Sequence, residues 1–540
     1  MFPWTATRKS FFLLAGVFIF SLAFRLALIS KGPYNLDTLN LAIQSQRTIE
    51  TGRLQHLFGS GYPLTVLLGA FFISAAGLFG VADPVFAVNL MSVIFSAGAV
   101  ALIYLVAEQR FGRTAAVLAA ASFSLCPIFL SLSVYGMNHA PEMFFLLACV
   151  FFLQRFLDNN HRRDLLVSAV LFGAMGAARL QDMGLLFPAM CFFVLLGQAE
   201  GPEPARASRK SRVLSVILFS FLAAGTAAAF HLPYFLQDNP EYGANLSRFW
   251  QAGFQHKYLG ILTPHLLIAG DHLAENFTWP GLILSLLGLA LIVRQGVTRG
   301  VFFLLWIAGP LFFYGNHRFI INPRFLCVIL PPLVIGQGYV MAKLLRKYPL
   351  ARWVLIPVFV FMIYGTFSRV YPVLKFRHEH ALLPDFVRWV AANVEPDARV
   401  IVADEGLFYK YYTPCRVLYR PADVLRAAPE DLARFRDEMD ALLDQDVPVY
   451  ITTASLFAYD RDHHFSGFLK SHFRGERIGS HYYEDWHMGS AQIQVFLFDL
   501  YRVRKGLRRR GIKRVTDNSF HFCFPAILTM FKRTLLSRSE

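Results

Sequence analysis

The sequence predicts a polytopic α-helical membrane protein of about eleven transmembrane helices, with re-entrant or juxtamembrane helices beside them and a C-terminal extracytoplasmic α/β domain. Three observations carry this. Of 540 residues, 55% are hydrophobic and only 16% charged, more apolar surface than one soluble core absorbs. Apolar runs of membrane-crossing length recur from residue 10 to residue 373, separated by short basic segments. From residue 374 the apolar runs shorten, acidic residues become frequent, and strand-like and helix-like patterns alternate.

The first run, residues 10 to 30, follows Arg8 and Lys9 and is interrupted by Arg25 without a small-x-small cleavage site, which reads as an uncleaved anchor with a cytoplasmic amino terminus. A charge inside a span faces protein or a water-filled cavity, or snorkels to the headgroups, and Arg25 is open to each reading. Further runs cover residues 62–81, 84–107, 114–135, 141–157, 165–181, 183–198, 213–236, 278–293, 301–315, 324–342 and 352–373. If every run crossed, Arg110, Arg113, Arg155, Arg162, Arg163 and the Arg206–Arg212 cluster would lie outside, the reverse of the usual bias. A re-entrant or interfacial 62–81 segment restores the bias at each of these positions and leaves about eleven spans.

The expected division is a transmembrane domain over residues 1–373, a soluble α/β domain over 374–505, and a basic interfacial tail over 506–540. In the soluble part Val400–Val402, Val449–Ile451 and Gln492–Tyr501 read as strands and Glu430–Leu443 as a helix. The net charge of +16 falls largely in segments between apolar runs, so it marks topology and gives no reason to expect nucleic acid. Cys126, Cys149, Cys191 and Cys327 sit inside apolar runs, and no disulfide framework is visible. The sequons beginning at Asn245 and Asn276 fall in a loop expected outside.

Several short segments stand out together: Asp37-Thr38-Leu39-Asn40, Gly61-Tyr62-Pro63-Leu64, Glu108-Gln109-Arg110-Phe111-Gly112-Arg113, His139-Ala140-Pro141-Glu142, Gly176-Ala177-Ala178-Arg179-Leu180-Gln181, and Pro323-Arg324-Phe325-Leu326 with Leu330-Pro331-Pro332. In order and spacing the set resembles the GT-C superfamily of polyprenyl-phosphate-sugar glycosyltransferases, in particular the protein O-mannosyltransferases and the lipid A aminoarabinose transferases. The chain departs from that pattern with Thr38 where the family commonly has Glu, Tyr62 where it has a second Pro, and Asn89 where it has Arg.

The resemblance implies a GT-C fold and an inverting transfer of a sugar from a polyprenyl phosphate to a hydroxyl of a lipid, glycan or protein. In such a displacement a carboxylate takes the acceptor's proton, and Asp37 is the expected base with Glu142 as the second carboxylate. The leaving phosphate calls for cations, and Arg324, Arg318, His317, Lys257 and Arg179 are the candidates, Arg324 foremost because a guanidinium fork fits phosphate oxygens.

Simpler roles exist for the same residues. Asp37 suits the N-cap of a helix starting at Thr38, Glu142 suits the first turn of a span, and Arg179 and Asp182 lie three apart as an ion pair at a helix end. The partners expected are the lipid-linked sugar donor, the hydroxyl acceptor and the membrane, with no nucleic acid. No cofactor is indicated, and a divalent cation stays open, since the histidines at 463, 464, 481 and 487 show no metal-ligand spacing. The competing function is a flippase for lipid-linked glycans. The lack of repeated halves and the placement of ionisable residues at span ends favour the transferase.

Overall fold

A computed structural model describes residues 8–57, 61–197, 209–237, 247, 262–316, 322–402, 405–419, 429–457, 464–485 and 494–506. Arg318, His317, Lys257, Asn245 and all but the first residue of the 506–540 tail lie outside them. Two compact units emerge: one from the described residues up to Lys31 and of Asn40–Glu379, the other from Gly32–Leu39 with the described residues from His380 onward.

The first unit is helical: α1 (Arg8–Leu26), α2 (Leu36–Thr51, whose first residues group with the second unit), α3 (Pro63–Leu78), α4 (Pro84–Phe111), α5 (Arg113–Leu125), α6 (Pro127–Ser133), α7 (His139–Asn159), α8 (Arg162–Ala178), α9 (Leu180–Leu196), α10 (Arg209–Leu236), α11 (Leu262–Gln295), α12 (Val297–Gly315), a 3₁₀ turn (Pro323–Ile329), α13 (Leu330–Lys347) and α14 (Arg352–Glu379). Local chemistry sets many of the ends. The Asp83 carboxylate accepts from Val85 N at 2.9 Å with Pro84 in the first turn, which starts α4, and Gly112 with φ 81° stops it.

The protein is an integral membrane protein. Among the described residues seven helices are long and apolar enough to cross a membrane, or eight if a bent pair counts as one span, and Phe11–Leu26, Pro63–Leu78 and Leu180–Leu196 are shorter apolar helices. At 16 residues α3 extends about 24 Å, short of a hydrocarbon core of about 30 Å.

The run at 114–135 is not one straight span. It breaks at Cys126–Pro127 into α5 and α6, bent by 63°. A break inside an apolar bundle frees backbone groups that no water reaches, and side chains from distant helices satisfy them. On one side Arg25 of α1 donates to the Ser124 carbonyl and hydroxyl, each at 3.1 Å, and to the Ser21 hydroxyl at 2.6 Å. On the other, the Asn276 side chain of α11 accepts from Ile128 N at 2.6 Å. Of the readings open for Arg25, burial against protein holds, since it is fully buried. One expectation changes: Asn276 is 5% exposed within a helix rather than in an open loop. Elsewhere α11 and α13 cross backbone to backbone, and a Cβ at Gly288 would sit 1.9 Å from the Gly336 carbonyl oxygen.

The second unit contains α15 (Leu382–Ala392), β1 (Arg399–Val402), α16 (Gly406–Tyr412), β2 (Arg416–Tyr419), α17 (Pro429–Asp444), β3 (Val449–Thr452), α18 (Thr453–Phe457), α19 (His464–His472), β4 (Phe473–Asp485) and β5 (Gln494–Lys505). The sheet order is β2-β1-β3-β5-β4, with β1 parallel to β2 and β3, and β5 antiparallel to β3 and β4. Buried Ile401, Val449, Ile451, Phe435, Met439 and Leu469 form its core. The strands expected at 400–402 and 449–451 and the helix at 430–443 are present, whereas β2 and β4 were not foreseen.

On this sheet the Tyr450 hydroxyl donates to Glu395 Oε2 at 2.5 Å and Arg502 lies 3.0 Å from Oε1. Partial burial pushes the Glu395 carboxyl up, but the Tyr450 hydrogen bond and the charges of Arg502 and Arg504 outweigh it and hold the group below its usual 4.5. The same contact and burial push the Tyr450 phenol up to about 12. A depressed carboxyl stabilises the fold above its unfolded value and loses that contribution as pH falls through the folded one. The melting temperature of the full chain in detergent is therefore expected to be higher for wild type than for Glu395→Gln at pH 7, with the gap closing as pH drops below 4.5. A constant gap from pH 7 to pH 3 overturns this.

Candidate active site

Three chain segments place a buried charged cluster in the first unit. α8 ends and α9 begins at Arg179, whose extended backbone, φ −161° and ψ 90°, separates the two helices without a side-chain cap. α7 starts at His139 and brings His139 and Glu142 onto one face, three residues apart. The end of α12 and the 3₁₀ turn supply Tyr314, Arg324 and Phe325.

Arg179 is the hub. Its Nε lies 2.9 Å from Asp182 Oδ2, and its Nη1 lies 3.5 Å from Glu142 Oε2 and 2.5 Å from His139 Nδ1. Nη2 donates to the Tyr314 hydroxyl at 3.3 Å, and that hydroxyl donates to Asp182 Oδ1 at 2.5 Å. The same His139 Nδ1 lies 3.3 Å from Glu142 Oε2, so the ring sits between the guanidinium and the carboxylate. Tyr314 stacks on Phe325 at 4.7 Å with rings 2° from parallel, and the guanidinium carbons of Arg179 and Arg324 lie 5.6 Å and 5.2 Å from the Phe325 centroid. Asp182 and Glu142 are each 1% exposed and Arg179 3% exposed.

Ions this deep persist only when paired. Two carboxylates, Glu142 and Asp182, stand against Arg179, and Arg324 on the same aromatic ring brings the cations to two. The Glu142 side chain also shares a hydrogen bond with that of Asp182, so the two carboxyl groups face each other beside Arg179. The cluster thus holds two desolvated carboxyl groups beside fixed guanidinium donors, an arrangement able to stabilise a nearby anion.

Of the residues singled out from sequence, Glu142, Arg179 and Arg324 come together around Phe325. Asp37 belongs to the other unit and stands half-buried in the first turn of α2. The cap of that helix is Asn35, whose side chain accepts from Thr38 N at 2.8 Å and from the Thr38 hydroxyl at 3.0 Å, so Asp37 is not the capping residue. Sequence reasoning gave Asp182 only a neutralising part and no part to His139, Tyr314 or Phe325. The three-residue spacing of His139 and Glu142 at a helix start was a usable signal, whereas an aromatic at the end of a span carries none. No three His, Cys, Asp or Glu side chains are grouped to hold a metal ion among the described residues.

A family model described as dolichyl-phosphate-mannose-protein mannosyltransferase matches residues 66–224. Among solved structures, ArnT from Cupriavidus metallidurans bound to undecaprenyl phosphate superposes with a TM-score of 0.58 at 11% identity, covering 92% of this chain and 98% of that one. The oligosaccharyltransferase AglB from Archaeoglobus fulgidus, in complex with an inhibitory peptide and a dolichol-phosphate, gives 0.55 at 13% identity, covering 87% of this chain and 73% of that one. The chain has the GT-C fold. No curated protein matches it in sequence. The matched residues 66–224 include His139, Glu142, Arg179 and Asp182, while Asp37, Tyr62, Tyr314 and Arg324 lie outside that stretch.

Proposed function

We propose that the chain is an inverting glycosyltransferase that moves a sugar from a polyprenyl phosphate to a hydroxyl of a lipid, glycan or protein at the outer membrane face. The observation that carries this reading is the buried Arg179 cluster with Arg324 beside it, a set of anion-stabilising donors inside an apolar bundle. The family match to a lipid-phosphate-sugar enzyme, and the polyprenyl phosphates bound in two structures of the same fold, support it.

In the reaction the acceptor oxygen attacks the anomeric carbon as its proton passes to the Asp37 carboxylate. The bond from that carbon to the phosphate oxygen breaks, and its electron pair leaves with the polyprenyl phosphate. Arg324 and Arg179 offset the charge that grows on the phosphate, and a dry site makes each guanidinium count for more than it would in water. Glu142, held by Arg179, is the second carboxylate beside the sugar. Of the remaining candidates Arg318, His317 and Lys257 are further outer-face cations for the phosphate, in the stretches before the 3₁₀ turn and before α11.

Incubating membranes that contain the chain with labelled undecaprenyl-phosphate sugars tests the reading. Label is expected to move from one such donor to an acceptor lipid, glycan or protein, and a panel in which no donor is consumed overturns it. Arg324→Ala is expected to raise the apparent KM for that donor by roughly 10-fold to 100-fold, the loss of one charge-assisted hydrogen bond. Unchanged donor kinetics would leave Arg324 as an anchor for headgroups.

A further inference from the structure

Tyr62 has a backbone that its neighbours oppose. Its φ of 49° and ψ of 52° are left-handed, uncommon for a bulky side chain, and the following Pro63 disfavours a helical backbone at the preceding residue as well. Such a conformation persists only where the surroundings fix it. Here the Tyr234 hydroxyl lies 2.9 Å from the Gly61 carbonyl and 3.0 Å from the Gln55 carbonyl, and Leu57 N donates to the same Gly61 carbonyl at 3.2 Å.

The result is a phenol brought to the first turn of α9. Gln181 Nε2 donates to the Tyr62 hydroxyl at 3.3 Å. Gln181 Oε1 is buried and has no hydrogen-bond partner among the described residues, and the residue is 3% exposed. Turning the amide over exchanges which of its two atoms is unpaired and leaves the deficit in place. An unpaired amide atom at this depth is costly unless something absent from the protein pairs with it.

The pair has a recognisable complement. Once Tyr62 has accepted from Gln181, its own O–H is left to donate, and Gln181 Oε1 is left to accept. One donor beside one acceptor is what an alcohol requires, since a hydroxyl gives one hydrogen bond and takes another. Gln181 adjoins Asp182 and lies two residues from Arg179, so the pair borders the charged cluster.

We infer that Tyr62 and Gln181 form a reader for one hydroxyl of the transferred sugar, a specificity device beside the Arg179 cluster. This rests on the transferase reading above. A site built to hydrogen-bond a hydroxyl rejects the analogue that lacks it far more strongly than an apolar pocket distinguishes one methylene.

The test uses the full chain in nanodiscs, the donor sugar that wild type consumes, and the set of its monodeoxy versions. Wild type is expected to discriminate against one monodeoxy donor by about 10²-fold or more in kcat/KM. Tyr62→Phe removes only the phenolic oxygen, and Gln181→Leu removes the amide at similar volume. In both variants that discrimination is expected to shrink by about 10-fold or more, with selectivity at the other hydroxyls retained, a pattern that general loosening of the site does not produce. Wild-type transfer with the same deoxy profile in both variants overturns the inference and leaves the transferase reading standing. Failure of wild type to consume any polyprenyl-phosphate sugar overturns both.

Discussion

Arg179→Ala is expected to remove transfer and to destabilise the protein by about 3–5 kcal/mol, the usual cost of taking one partner from a buried ion pair. The size of the effect follows from what stays behind. Glu142 and Asp182, each 1% exposed, would keep their carboxylates in an apolar bundle with no guanidinium between them, and the Tyr314 hydroxyl would lose its donor. Arg179→Lys is expected to fall between, because one ammonium cannot reproduce a fork that spans Asp182 on one side and His139 and Glu142 on the other. Adding Asp182→Asn to Arg179→Ala is expected to recover part of the lost stability, since it removes one of the uncompensated charges. Thermal melts in detergent check all three, and an Arg179→Ala protein that melts with wild type refutes the hub assignment.

Asp37→Asn is expected to lower kcat by about 10²–10⁴, the span typical for a lost general base, with little change in melting temperature. The stability half of that statement comes from Asn35. Because Asn35 caps α2, the amide at position 37 leaves that cap in place, and the melt reports whether any fall in rate comes with loss of structure. Single-turnover measurements with labelled donor separate chemistry from binding. Wild-type turnover in Asp37→Asn removes Asp37 from the mechanism.

The parts of this molecule that depend on local pattern were legible in the chain. Val400–Val402 and Val449–Ile451 are short β-branched runs and became adjacent parallel strands, and Glu430–Leu443 carried a helical period. Arg179 and Asp182, three apart at a span boundary, were recognisable as a pair. What could not be read needed three dimensions. Strand β4 holds Gly475, Gly479 and several charges between its buried Phe473 and Tyr483, and is ordered by its antiparallel pairing with β5 across a register shift between Arg477 and Gly479. Pro127 was visible inside 114–135, but prolines also occur in unbroken spans, as Pro310 does in α12. Asn35 and Asp37 are both good capping residues, and only the hydrogen bond to Thr38 N decides between them. Tyr314 joined the site because α12 ends beside α9, a fact of packing with no trace in residue type.

The bend between α5 and α6 also constrains when the protein can finish folding. A chain emerging from the ribosome presents residues 126–128 long before residue 276 exists, and Ile128 N–H has its acceptor on Asn276. Arg25 is already made and can hold the Ser124 side of the bend at once. The other side must wait through the synthesis of nearly 150 further residues, so this corner closes late in biogenesis, and until then its exposed amide has to be sheltered by water or by the insertion machinery.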